Sequence, residues 1–120
     1  MTTKEKMRML PTEEYIRRLI KKRNAGTEHC RLTTDVARDI GISAPDLNSF
    51  LTDAGILLRE RATRELKIAP RYRGKGYSMT RSQFRYNSSG ELTELRYPVW
   101  TEKGEEFIKR TIKKMTWRNK

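Results

Sequence analysis

The stretch that most constrains how this chain folds is residues 32–55, LTTDVARDIGISAPDLNSFLTDAG. Val36, Ala37 and Ile40 recur at helical spacing, and so do Leu47, Phe50, Leu51 and Ala54. Each set gives one short helix a single buried stripe. Gly41 is expected to stop the first helix in a left-handed conformation. Ser43 then caps the second, with Asp46 three residues on as a weaker form of the capping box. Thr33 or Thr34 is expected to cap the first helix, and Gly55 to end the second. Two amphipathic helices joined by three or four residues that include Gly read as a helix-turn-helix. A plain α-hairpin in a helical bundle is the other reading of the same pattern.

The flanks narrow the choice. Residues 11–24 predict a helix that starts at Pro11, carries Glu13 and Glu14 at its positive end, and presents Tyr15, Ile16, Leu19 and Ile20 on one face. Downstream, Ile56, Leu57, Leu58 and Arg59 form a short apolar run, and residues 66–69 alternate. The polar connector 60–65 between them makes a hairpin, or wing. Pro70 interrupts the sheet, and residues 71–77 are expected to be a flexible basic loop between aromatic rings. A second hairpin pairs residues 79–86 with 92–99 across Asn87, Ser88, Ser89 and Gly90. Thr101 caps a last helix that runs to about Met115, with Phe107, Ile108, Ile112 and Met115 inward and Trp100 anchoring the core. The predicted class is α+β: a winged helix-turn-helix-like domain with two β-hairpins and flanking N- and C-terminal helices. Residues 1–30 form the N-terminal basic helix packed on the core, 31–116 the winged-helix domain, and 117–120 a basic tail, one domain overall.

Composition speaks to partners. With 27 Lys and Arg against 15 Asp and Glu, the 120 residues carry a net charge of +12. The surplus is uneven: residues 31–55 have a net of −2, whereas residues 56–100 have +6, with eight arginines among ten bases. The helix pair is therefore mildly acidic, and half of the surplus lies in the strands behind it. No apolar stretch is long enough to span a membrane, and the first ten residues lack the apolar core of a secretory signal. One Cys and one His cannot close a zinc site or an intramolecular disulfide. A reducing cytoplasm, no metal and no cofactor are expected. His29 and Cys30 are neighbours in a loop, which does not make a catalytic pair, and neither a phosphate-cradling loop nor a nucleophile elbow is present. The chain is expected not to be an enzyme.

Three blocks resemble a known family. They are Ala37-Arg38-Asp39-Ile40-Gly41-Ile42-Ser43 with Leu47-Asn48-Ser49-Phe50-Leu51 and Gly55-Ile56; Tyr72 with Gly76-Tyr77; and Trp100-Thr101-Glu102-Lys103-Gly104-Glu105-Glu106-Phe107-Ile108. From about Leu32 to Lys114 the chain resembles the C-terminal domain of phage antirepressors, the KilA-C family. The resemblance implies a DNA-binding, winged-helix-like domain of phage or prophage origin with a role in transcription regulation.

A helix-turn-helix normally lays its second helix in the major groove. Here that helix offers Ser43, Asn48, Ser49 and Thr52 and no Lys or Arg. Asn can bond an adenine edge, and Ser or Thr a base or a phosphate, but a purely structural Asn48 fits as well. Phosphate binding falls to Arg59, Arg61 and Arg64 on the wing, Arg71, Arg73 and Lys75 in the loop, and Arg81 and Arg85 on one face of a strand. A solvated sheet face is the alternative reading of these arginines. Tyr72, Tyr77, Phe84 and Tyr86 could stack on single-stranded bases, although core packing suits Phe84 better. The partner expected first is double-stranded DNA. The competitor is a protein-interaction role, in which the basic surface binds an acidic face of a phage or host repressor, and RNA is a weaker third.

Overall fold

The computed structural model describes residues 12–118. Helix α1 spans Glu13–Arg23, and its N-cap is Thr12, whose side chain accepts a 3.1 Å hydrogen bond from the Tyr15 amide. Pro11, expected in the first turn, lies outside the described residues. Glu13 and Glu14 sit in the first turn and Lys21, Lys22 and Arg23 in the last, so both ends complement the helix dipole.

The chain then forms β1 (Arg31–Leu32), α2 (Thr33–Ile40), α3 (Ala44–Asp53), the hairpin β2 (Leu57–Arg59) and β3 (Leu66–Ile68), a 3-10 turn (Pro70–Tyr72), the long hairpin β4 (Ser78–Tyr86) and β5 (Leu92–Trp100), and α4 (Glu102–Arg118). The architecture is α+β with small antiparallel sheets. One sheet has the order β1-β5-β4, and β2-β3 stand as a separate pair. None of the helices among the described residues is long and apolar enough to cross a membrane.

Gly41 ends α2 at φ 92°, and the Ser43 hydroxyl caps α3 by accepting from the Asp46 amide at 3.1 Å. The core is small and continuous: Val36 and Ala37 from α2, Leu47 and Leu51 from α3, Ile56 and Leu57 at the start of the first hairpin, Trp100, and Ile108 from α4. Trp100 is fully buried. A buried indole N–H needs an acceptor, and Thr33 provides it at 2.9 Å. Thr33 therefore does not cap α2. The N-cap is Leu32, which makes no side-chain capping bond.

The third sequence block is a clamp. Thr101 accepts from the Gly104 amide at 3.0 Å and donates its own proton to the Gly76 carbonyl at 2.5 Å. Gly104 lets α4 ride directly on the backbone of Tyr77, since a Cβ there would fall 1.8 Å from the Tyr77 carbonyl oxygen. Phe107 stacks on Tyr77 at 4.3 Å and tilts against Tyr72 at 5.3 Å. Lys103 donates to the Lys75 carbonyl at 2.8 Å. Residues 71–77 are thus fastened to α4 at successive points, not a flexible loop.

Candidate nucleic-acid interface

The β2–β3 loop is a four-residue turn closed by its own backbone. The Glu60 amide bonds the Glu65 carbonyl at 2.9 Å, and the Arg64 amide bonds the Glu60 carbonyl at 2.8 Å. Arg64 has φ 64°, the one non-glycine residue in the left-handed region among the described residues. Arg59 reaches across the loop and donates to the Arg64 carbonyl at 2.6 Å. One guanidinium on the hairpin thereby fixes the backbone that presents two others.

The carboxylates that could cancel those arginines are engaged elsewhere. Glu60 pairs with Lys67, and the Lys67 ammonium, its largest influence, holds the Glu60 carboxyl below its ordinary range. Glu65 accepts from the backbone amide of Arg96 on β5, which caps the exposed edge of that strand and docks the wing on the sheet. Arg61 and Arg64 are exposed and have no ion-pair partner among the described residues.

Arg71, Arg73 and Lys75 are also exposed. Arg71 lies 5.3 Å over the ring of Tyr72. Arg73 joins Lys67 and Arg96 around a cleft of about 440 Å³ that the wing shares with the long hairpin. The clamp on α4 therefore holds a second set of cations beside the wing. Lys67 and Arg96 belong to these surroundings, and no pattern in the sequence singles them out.

Helix α3 offers less than its sequence promised. Asn48 is half-buried, and its Oδ1 is buried without a hydrogen-bond partner among the described residues. The side chain lines a cleft of about 690 Å³ with Thr33, Thr34, Arg59, Leu66 and Phe84 among others. Thr52 returns its hydroxyl to the Asn48 carbonyl at 2.7 Å, and the Ser43 oxygen is the cap. Ser49 is exposed and makes none of these bonds. Asp46 and Asp53 remain exposed on the same helix, where they repel phosphate.

Arg81 leaves the set of candidate phosphate ligands. It is half-buried on β4, and its guanidinium donates to the Thr27 hydroxyl at 3.0 Å, to the Thr27 carbonyl at 2.5 Å and to the Cys30 carbonyl at 3.1 Å. It staples the connector after α1 to the sheet, because those carbonyls have no strand to pair with. Arg85 shares the Arg81 face of β4, as expected, and is exposed. It lies three residues nearer the hairpin turn than Ser82, whose partner Arg96 marks the wing contact.

Other polar groups near the sheet are structural. Asn24 receives the Ser82 amide at 2.7 Å and donates to the Ser82 carbonyl at 3.2 Å, which caps the β4 edge. The Ser82 hydroxyl donates to Glu94 at 2.6 Å, and this bond, followed by the field of Arg23, lowers the Glu94 pKa. Arg31 pairs with Asp39 and with Glu105, and its guanidinium is the main reason the Asp39 carboxyl is also lowered. Tyr72 and Tyr77 are packed with Phe107, so they do not stand free as stacking platforms. Cys30 is buried and its Sγ lies 3.7 Å from His29 Nε2. Burial pushes its thiol pKa up, the opposite of nucleophile activation. Among the described residues no group of three or more His, Cys, Asp or Glu side chains is placed to hold a metal.

A family model for the phage antirepressor protein KilAC domain matches residues 22–115. No curated protein and no solved structure matches the chain.

Proposed function

The chain belongs to the phage antirepressor KilAC domain family, and from that premise we propose that it is a winged-helix, DNA-binding regulatory domain that acts by binding and not by catalysis. The observation that carries this reading is the wing. A helix pair turning at Gly41 leads directly into a hairpin whose loop presents Arg61 and Arg64 while both flanking glutamates are engaged, Glu60 by Lys67 and Glu65 by the Arg96 amide. The order α1-β1-α2-α3-β2-β3 supports the winged-helix reading. The difference is that β1 pairs with β5 of the long hairpin and leaves the wing as a sheet of its own.

Arg61 and Arg64 grip the phosphate backbone of duplex DNA, with Arg71, Arg73 and Lys75 extending the contact from the clamped loop. Five such contacts give a slope of about −4.5 in log affinity against log salt, so affinity falls roughly 500-fold between about 50 and 200 mM salt. Backbone contacts position a protein, whereas base contacts specify sequence. With Asn48 half-buried in a cleft and two exposed aspartates on α3, base reading by that helix rests on Ser49, and the affinity is largely indifferent to sequence.

The test is a fluorescence-anisotropy titration of the full chain with a duplex at about 50 mM salt, competed by structured RNA. Duplex binding with the predicted salt slope, against which structured RNA competes more weakly than unlabelled duplex, supports the reading. Absence of duplex binding overturns it. A repressor-like protein that stays bound to the chain after nuclease digestion, with no duplex affinity, replaces it with the protein-interaction role.

A further inference from the structure

Helix α4 outruns the core. Ile108 is fully buried and Ile112 packs against the core cluster, but Lys113, Lys114 and Met115 are all exposed. Cations crowd this half of the helix: Lys109, Arg110, Lys113 and Lys114. Lys109 is neutralised by Glu105 at 3.3 Å. Arg110, Lys113 and Lys114 are exposed and form no ion pair among the described residues. Glu106 stands one turn before Arg110 and is not paired with it.

Helical geometry sorts these cations. Helix α4 turns Phe107 toward the clamped loop, where it stacks on Tyr77 and touches Tyr72. Around the helix axis Lys114 lies about 20° from Phe107, and Arg110 about 60°. Lys113 lies about 120° away, on another face. Arg110 and Lys114 thus extend the row that Lys103 begins at the Lys75 carbonyl. The row is contiguous with the loop cations, because Arg71 lies over the Tyr72 ring that meets Phe107. Arg73 in turn lines the cleft shared with the wing.

We infer that Arg110 and Lys114 form a second phosphate-binding arm, which grips the same duplex as the wing and the clamped loop. The inference rests on the DNA reading and extends its contact surface to a helix outside the winged-helix elements. Charge complementarity and continuity with the loop carry it: unneutralised cations prolong one basic surface past the end of the core. The two residues are about 6 Å apart along the helix, and a DNA strand offers a phosphate every 3.4 Å or so of its axis, so each residue can hold its own. Added to the five contacts of the wing and loop, they make the slope of log affinity against log salt steeper, about −6.3.

Anisotropy titrations of the full chain with one duplex at several salt concentrations test it, with circular dichroism as the check on folding. Glutamine removes the charge and keeps the helix propensity. Arg110→Gln/Lys114→Gln is expected to flatten the slope by about 1.8, a loss of roughly sixtyfold in affinity near 100 mM salt if counterion release carries both contacts. Lys114→Gln alone should flatten it by about 0.9. Lys113→Gln removes the same charge from a different face and should leave the slope unchanged. A wild type that binds duplex, with a double variant whose slope is unchanged, overturns the inference and leaves the wing reading standing. So does a slope that Lys113→Gln flattens as much as Lys114→Gln, the signature of net charge alone. A wild type without duplex affinity overturns the DNA reading and this inference with it.

Discussion

Arg64 offers a substitution in which stability and binding should move in opposite directions. Its φ of 64° places an ordinary side chain in the left-handed region, at a cost of roughly 1 kcal/mol that glycine does not incur. The bonds that shape the loop use only the Arg64 backbone: its amide reaches the Glu60 carbonyl at 2.8 Å, and its carbonyl receives Arg59 at 2.6 Å. Arg64→Gly keeps both and relieves the strain, so the variant should unfold about 4 °C higher. It also removes one phosphate ligand. The salt slope should fall by about 0.9, which corresponds to an affinity loss of roughly eightfold near 100 mM salt if counterion release carries the whole contact. Arg64→Ala separates the two effects. It retains the Cβ and the strain, so stability should stay within about 0.5 kcal/mol of wild type while the slope falls equally. Thermal denaturation and anisotropy titrations at three or more salt concentrations read both quantities. A more stable Arg64→Gly that binds duplex with an unchanged slope refutes the assignment of the wing to phosphate. A less stable Arg64→Gly refutes the account of the loop.

Arg81→Met should destabilise the fold by about 2–4 kcal/mol in urea denaturation, because three hydrogen bonds to residues 27 and 30 are lost, yet leave the salt slope of DNA binding unchanged. Gly104→Ala should cost at least about 3 kcal/mol, or prevent folding, because its Cβ would meet the Tyr77 carbonyl oxygen at 1.8 Å and both partners are backbone; chemical denaturation reads it. Glu94 has its folded pKa lowered from 4.5, first by the Ser82 hydroxyl and then by Arg23. A depressed carboxyl stabilises the fold above its unfolded pKa and loses that contribution as the pH falls through the folded pKa. Glu94→Gln should therefore be less stable than wild type near neutral pH and converge with it in acid well below 4.5, as denaturant midpoints at the two pH values will show.

Gly41, Ser43 and the two apolar stripes told of α2 and α3 because helix stops, caps and 3.6-residue spacing are local physics. The two hairpins were legible for the same reason: short apolar runs with turn residues between them. Strand β1 was not, since two residues carry no periodicity and Arg31 and Leu32 become a strand only where β5 passes. Thr33 looked like a cap because nothing local reveals that a buried indole 67 residues away needs its oxygen. The same holds for Arg81, whose partners are backbone carbonyls 51 and 54 residues earlier. Alternation along the strand placed its face correctly but said nothing of what lies opposite. Residues 71–77 read as mobile from their glycines and charges. Tyr72, Tyr77 and Phe107 hold them through a contact between segments some thirty residues apart. Of the candidate site, Arg61 and Arg64 stand exposed because loop tips face water whatever the rest of the fold does. Asn48 is half-buried, because one turn of α3 contains both core and surface, and its neighbour Leu47 is fully buried.

On the proposed reading phosphate is held at the wing and the clamped loop and not on α3, in keeping with the segment charges of −2 and +6. The salt dependence of duplex binding measured side by side for the wild type, Arg61→Ala/Arg64→Ala and Ser49→Ala tests this most directly. The wing pair should reduce the slope by about 1.8, two phosphate contacts' worth, for every duplex sequence. Ser49→Ala should leave the slope unchanged and alter only the preference between sequences. An unchanged slope in the arginine pair, or a slope lost with Ser49 and not with the arginines, would contradict it.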